Sequence, residues 1–132
     1  MKSIVTILAL GLIFLSSCEK EVTPVNPVNT TPPAVRNISV DYAISAVSGD
    51  MEIVALIPDA NGVLVETTLN INRPYHTIHF ETKSQQEIIL KARNTNPSHD
   101  EVMVTIYVDG LIFSSASTTT ANAWAIAKGI PQ

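Results

Sequence analysis

From Arg36 onward, apolar residues recur at every second position, the period of a half-buried strand and not the 3.6 of a helix. Ile38, Val40, Tyr42 and Ile44 alternate with Asn37, Ser39, Asp41 and Ala43. After a turn at Ser48-Gly49-Asp50, Met51, Ile53, Ala55 and Ile57 continue the pattern. Pro58-Asp59-Ala60-Asn61-Gly62 reads as a hairpin loop, with Asn-Gly supplying residues that tolerate positive φ. Val63 to Leu69 is the return strand, and Arg73-Pro74 interrupts the run. His76, Ile78 and Phe80 share one face of the next strand, Tyr75 to Thr82, and Lys83 to Gln86 turn. Ile88, Leu90 and Ala92 form one more alternating set, closed by the loop Asn94-Thr95-Asn96-Pro97-Ser98.

Val102, Val104, Ile106 and Val108 share the core parity of a further strand. Thr105 falls on the opposite parity with Glu101 and Asp109, which suits water, so Thr105→Ala is expected to cost little. Asp109-Gly110 predicts a type I′ turn with Gly110 at positive φ, leading into Leu111-Ile112-Phe113. A serine- and threonine-rich stretch follows, read as an exposed edge or loop, and a last short strand is expected around Trp124 and Ile126. About eight strands in roughly 95 residues, with turns at short intervals, predict an all-β antiparallel sandwich or barrel.

The first residues break this pattern. Lys2 supplies one positive charge, and Ile4 to Leu15 is an apolar run of twelve residues, too short to span a bilayer. This order predicts a secretory signal peptide over residues 1–17. Its ending, Leu15-Ser16-Ser17-Cys18, resembles a bacterial lipobox. The resemblance implies diacylation of the Cys18 thiol, cleavage before Cys18, and acylation of the new amine by a chain of the palmitate type. Several acyl chains satisfy the two-signal requirement for stable anchoring. Glu19-Lys20-Glu21 resembles the charged surface-export signals of Bacteroidota lipoproteins, and Glu at position 19 departs from the Asp of inner-membrane retention. The expected address is the cell envelope, lipid-anchored in the outer membrane, with the periplasmic and surface faces both open.

Residues 18–36 read as a lipidated N-terminus and tether, and 37–132 as the β domain. Pro24, Pro27, Pro32 and Pro33 favour an extended, polyproline-like segment over helix or central strand. At ~3 Å per residue it reaches about 40 Å.

Composition narrows the function classes. Apolar residues make up 45% and charged residues 15%, which excludes a disordered chain. One cysteine excludes an internal disulfide framework and a multi-cysteine zinc site. From Cys18 onward there are seven basic and twelve acidic residues, a net −5, which disfavours nucleic acid as a partner. The lipid, and not a polybasic patch, is expected to hold such a chain to a membrane.

The order Val40-Asp41-Tyr42-Ala43-Ile44, Asp59-Ala60-Asn61-Gly62, Arg73-Pro74-Tyr75, Ile89-Leu90-Lys91-Ala92 and Thr105-Ile106-Tyr107-Val108-Asp109-Gly110 resembles the MmpS family over residues 37–128. Those are small mycobacterial envelope proteins, with related lipoproteins in other bacteria. The resemblance implies an immunoglobulin-like β-sandwich of about 7–8 strands and a membrane-anchored accessory of lipid or siderophore exporters. Pro74-Tyr75 stands where the family has Pro-Trp, the family's late cysteine pair is absent, and a lipobox replaces its transmembrane helix.

The chemical inventory is short. His76 and His79 are three apart on a strand, so they face opposite sides and cannot chelate as a local pair. His99-Asp100-Glu101 is a loop trio whose polar character needs no cation. Asp59-Ala60-Asn61-Gly62 lacks the later ligands of a calcium loop, and turn chemistry accounts for it. No G-x-S-x-G motif, phosphate loop or free cysteine nucleophile occurs, and Ser114 to Thr120 has no assignable His-Asp partner. No enzyme, metal or cofactor is therefore expected. Tyr42, Tyr75, Phe80, Tyr107, Phe113 and Trp124 are the aromatic candidates for a glycan platform, with Tyr75 and Tyr107 the most exposed. The expected role is a non-catalytic accessory or structural envelope protein that works through protein–protein contacts. The alternative is a ligand-binding or adhesive lipoprotein that captures a glycan or small lipid.

Replacing Cys18 with Ser is expected to stop lipid attachment and leave the precursor uncleaved at this site. Mass spectrometry of the mature N-terminus checks it, and an unacylated mature protein in the soluble fraction would remove the lipoprotein reading.

Overall fold

The structure, a computed structural model, describes residues 31–96 and 101–132. The expected signal peptide over residues 1–17, Cys18, most of the expected tether, His99 and Asp100 lie outside the described residues. Eight strands follow in chain order: β1 Asn37–Ala46, β2 Asp50–Pro58, β3 Leu64–Asn72, β4 Tyr75–Lys83, β5 Ile88–Asn94, β6 Val102–Val108, β7 Leu111–Thr118 and β8 Ala125–Gly129. Among the described residues there is no helix. Two four-stranded antiparallel sheets result, ordered β4-β1-β6-β7 and β3-β2-β5-β8.

Period-two patterning explains the layering. Each central strand gives its apolar parity to the space between the sheets, where Val40, Tyr42, Ile44, Ile53, Leu90, Ala92, Val104 and Ile106 are fully buried. Only β2–β3 and β6–β7 are local hairpins, and the other connections cross from one sheet to the other. The first strand is therefore central, held between β4 and β6, with Tyr42 paired to Ile78 on one side and Ile106 on the other.

Tyr42 is the one large polar side chain in this core. Its hydroxyl crosses to the second sheet and donates to the Leu56 carbonyl at 3.0 Å, and Phe80 meets its ring edge-on at 5.1 Å between centroids. Burial pushes the phenol far above its ordinary range, and a backbone hydrogen bond from Ile89 acts weakly the other way.

The turns carry most of the local chemistry. Asp109 and Gly110 both adopt positive φ, 51° and 81°, the type I′ geometry that the Asp-Gly pair predicts. In the β2–β3 loop only Gly62 does so, so Asn61 does not play the left-handed role expected of it. The Asp59 side chain organises that loop by accepting from the Asn61 and Val63 amides at 2.8 and 3.0 Å.

Ser114 to Thr118 belong to β7, an outer strand of the first sheet, the exposed edge expected of them, and the expected last strand is β8, which holds Ile126 and begins one residue after Trp124. One detail differs from the sequence expectation. Thr105 is 7% exposed, although its parity faces outward. Parity sets direction, whereas exposure depends on the neighbours. Thr105 lies on a central strand between Ala43 and Ser115, and its hydroxyl sits 3.0 Å from that of Ser115, which also donates to the Val104 carbonyl.

A bulge falls between Ile106 and Tyr107, where the β6–β7 register passes from Ser114 to Ile112 and leaves Phe113 unpaired. The freed Phe113 ring packs on Gly129 of β8. A Cβ there would stand 2.7 Å from the ring, so any larger residue at this position requires the Phe113 ring to move.

Truncating Ile106 to Ala should cost about 2–5 kcal/mol, since the side chain is fully enclosed. Thr105→Ala should cost roughly 1 kcal/mol through its hydroxyl, more than an exposed threonine loses. Denaturant melts of both, with a Thr105/Ser115 double-mutant cycle, check this. Additive effects in the cycle would show that the two hydroxyls contribute independently.

Candidate functional site

Two surfaces remain after the core is assigned. The first is the outer face of the β4-β1-β6-β7 sheet. Strand register there aligns His79, Asp41 and Tyr107 in one row, because Asp41 pairs with both other residues. His79 Nδ1 lies 2.7 Å from Asp41 Oδ1, with both side chains well exposed. The adjacent row is small, Thr77, Ala43, Thr105 and Ser115, and beyond it stands Tyr75, 57% exposed. Short side chains thus lie between a row bearing a histidine, a carboxylate and a phenol, and an exposed ring. Such a face offers hydrogen-bond donors and acceptors beside apolar ring surface, the requirement for holding a polyhydroxylated ligand.

The second surface is the end of the sandwich at the β6–β7 turn. Asp109 clasps β1 there: its amide donates to the Ser39 carbonyl at 2.9 Å, and Ser39 N–H donates to its carboxylate at 3.0 Å. Arg36 Nη1 reaches the same carboxylate at 2.6 Å. Beside this clasp runs a groove of about 260 Å³ between Arg36, the Leu111–Phe113 segment and Pro131-Gln132. The hydrogen bond from Ser39 and the Arg36 guanidinium hold the Asp109 carboxyl below the usual carboxylate range.

His76 sits on the inner parity of β4 and His79 on the outer, as their spacing requires. Burial, then the nearby Arg73 charge, lower the His76 imidazole below its ordinary value. Among the described residues no group of three or more His, Cys, Asp or Glu side chains could hold a metal ion. Of the aromatic candidates, Tyr42 and Phe80 are core, Tyr75 is open, and Trp124 is half-buried with Arg93 over its ring at 4.8 Å; Tyr107, expected to be exposed, is half-buried, and Phe113 is the more open of the two because the bulge leaves it unpaired. That arginine is itself tied to Glu52 at 2.5 Å.

The Asp41–His79 pairing and the Arg36–Asp109 clasp could not be found from spacing, since each joins residues far apart in the chain. The exposed tip had a signal: Leu111-Ile112-Phe113 breaks the period-two rule, so one strand parity cannot bury all three. No protein-family model matches this sequence, and no curated protein matches it.

Because the folded-state value of Asp109 lies below its unfolded value, its carboxylate stabilises the fold fully above the ordinary carboxylate range. That contribution is lost as pH falls through the depressed value. Asp109→Asn keeps a residue that tolerates positive φ, removes the charge, and leaves one acceptor oxygen where the carboxylate offers two, to Ser39 and Arg36. The wild type should melt above this variant at neutral pH, and the gap should close below about pH 4. A gap unchanged at low pH would show that the charge contributes nothing.

Proposed function

We propose that this chain is a bacterial envelope lipoprotein that works as a non-catalytic accessory through protein–protein contacts. Residues 1–17 are its signal peptide, Cys18 carries the acyl chains, residues up to 36 form the tether, and 37–132 are the working domain. Its address is the outer membrane, on the periplasmic or the surface face. The observation that carries the reading is the Leu15-Ser16-Ser17-Cys18 ending of a short apolar run, followed by a proline-rich stretch and a self-contained β unit. The MmpS resemblance supports a place beside an exporter. The immunoglobulin-like kinship we propose is one of architecture, two facing antiparallel sheets, and not of topology. Here β1 is central, whereas the first strand of an immunoglobulin constant domain lies at a sheet edge.

A second reading, capture of a glycan, is favoured by the His79-Asp41-Tyr107 row and the exposed Tyr75 ring. Mild crosslinking in the native envelope, then purification through this chain, separates the two. The accessory reading expects one membrane partner in fixed ratio. A chain recovered alone, whose melting temperature rises saturably with a soluble oligosaccharide, would replace it with capture. Tyr107→Ala should then abolish the rise.

A further inference from the structure

The groove end of the sandwich is also where the chain arrives from its N-terminal segment. Gln85 fixes this: its side chain donates to the Pro33 carbonyl, and its amide donates to the Pro131 carbonyl at 2.6 Å. Arg36 is held by the Ser84 hydroxyl at 3.0 Å and by Asp109. Residues 33–36, the β6–β7 turn and residues 130–132 are thus neighbours at one end.

That end is unusually apolar for a surface. Leu111 is 75% exposed and Ile112 67%, flanked by Val35 at 59% and Ile130 at 53%. Isolated exposed aliphatics need no explanation, but a group of them gathered at one end marks an interaction surface. Its central charges, Arg36 and Asp109, neutralise each other. The net −5 of the chain from Cys18 works against attraction to an anionic surface, so apolar contact is the route that remains.

We propose that this end, led by Leu111 and Ile112, docks into the interfacial zone of the lipid bilayer as a second membrane contact beside the acyl anchor. The inference rests on the lipoprotein reading for its setting. In the anchored chain thirteen residues, 18–30, would precede the described domain, and residues 33–36 lie at this end, so an N-terminal anchor would keep this end within reach of the lipid. The aliphatic tips would bury apolar area among headgroups and upper acyl chains. Ile112 pairs with Tyr107, so this contact would cover the Tyr107 margin of the β4-β1-β6-β7 face and leave its Tyr75 side open.

The test uses the chain from residue 18 carrying Cys18→Ser, so that no acyl chain contributes. The core lies wholly within Pro32–Gln132, so this chain keeps its fold. Flotation with phosphatidylcholine vesicles should recover it with the lipid, insensitively to salt. Leu111→Glu with Ile112→Glu should reduce the bound fraction about ten-fold. Val47→Glu, equally exposed but beyond the opposite end of β1, should leave it unchanged. A Leu111→Ser, Ile112→Ser pair, with a melting curve for each variant, separates lost binding from lost folding. No flotation of the parent chain overturns the proposal, as does equal loss with Val47→Glu. Binding that needs anionic lipid and disappears at high salt overturns it too. A dimer in sedimentation that the Leu111/Ile112 variants dissociate would assign the tip to a second copy. An acylated native protein whose domain ignores vesicles would keep the lipoprotein reading and remove only this inference.

Discussion

The hydroxyl of Tyr42 ties the two sheets together, and the arrangement of the domain follows from where it lands. It leaves the central strand of one sheet and meets the Leu56 carbonyl of the other, one residue past Ala55↔Leu90, the last β2–β5 ladder pair. A buried phenol without a partner costs roughly 1–3 kcal/mol, so the core tolerates this tyrosine only in the register that delivers its oxygen to a backbone acceptor. A slip of β1 by one residue would send Val40, Tyr42 and Ile44 outward and bring Asp41 in. Because β1 pairs with β4 and β6 together, its register sets theirs.

The same register builds both surfaces. Outward residues of β1 and its neighbours place Asp41 between His79 and Tyr107, and the small row at Ala43 follows two residues on. The β6–β7 hairpin, launched by β6, carries the Leu111-Ile112 tip to the end where Arg36 and Asp109 meet. The bulge then releases Phe113 toward Gly129, closing the gap between β7 and β8. One irregularity thus divides three successive apolar residues into a seal and an exposed pair. The polar groups thus gather on one sheet face, and the exposed aliphatics at the end where residues 33–36 enter the domain.

Much of this architecture was legible beforehand. Alternation marked β1, β2, β4, β5 and β6, since a strand that gives one face to a core must write its apolar residues two apart. Asp109-Gly110 specified its turn because few residue pairs accept positive φ twice in succession. Thr105 misled for a physical reason. Parity tells which way a side chain points, but not what its neighbours on adjoining strands leave open to water. Asn61 misled similarly, because Asp59 captured the loop amides and left the left-handed position to Gly62 alone.

The amino-acid order by itself determined the all-β class and the core parity of the central strands, each of which is encoded in local spacing. Strand order was decided only in three dimensions. Nothing local tells β1 to pair with β4 and β6, because that choice depends on which long-range pairing best encloses apolar surface and satisfies Tyr42. The candidate site followed from that choice. Asp41 and His79 are 38 residues apart, and Arg36 and Asp109 are 73 apart. Such pairs exist only once the sheets have formed, since contact across so much chain is reached through closure of the whole fold and not through any short-range preference.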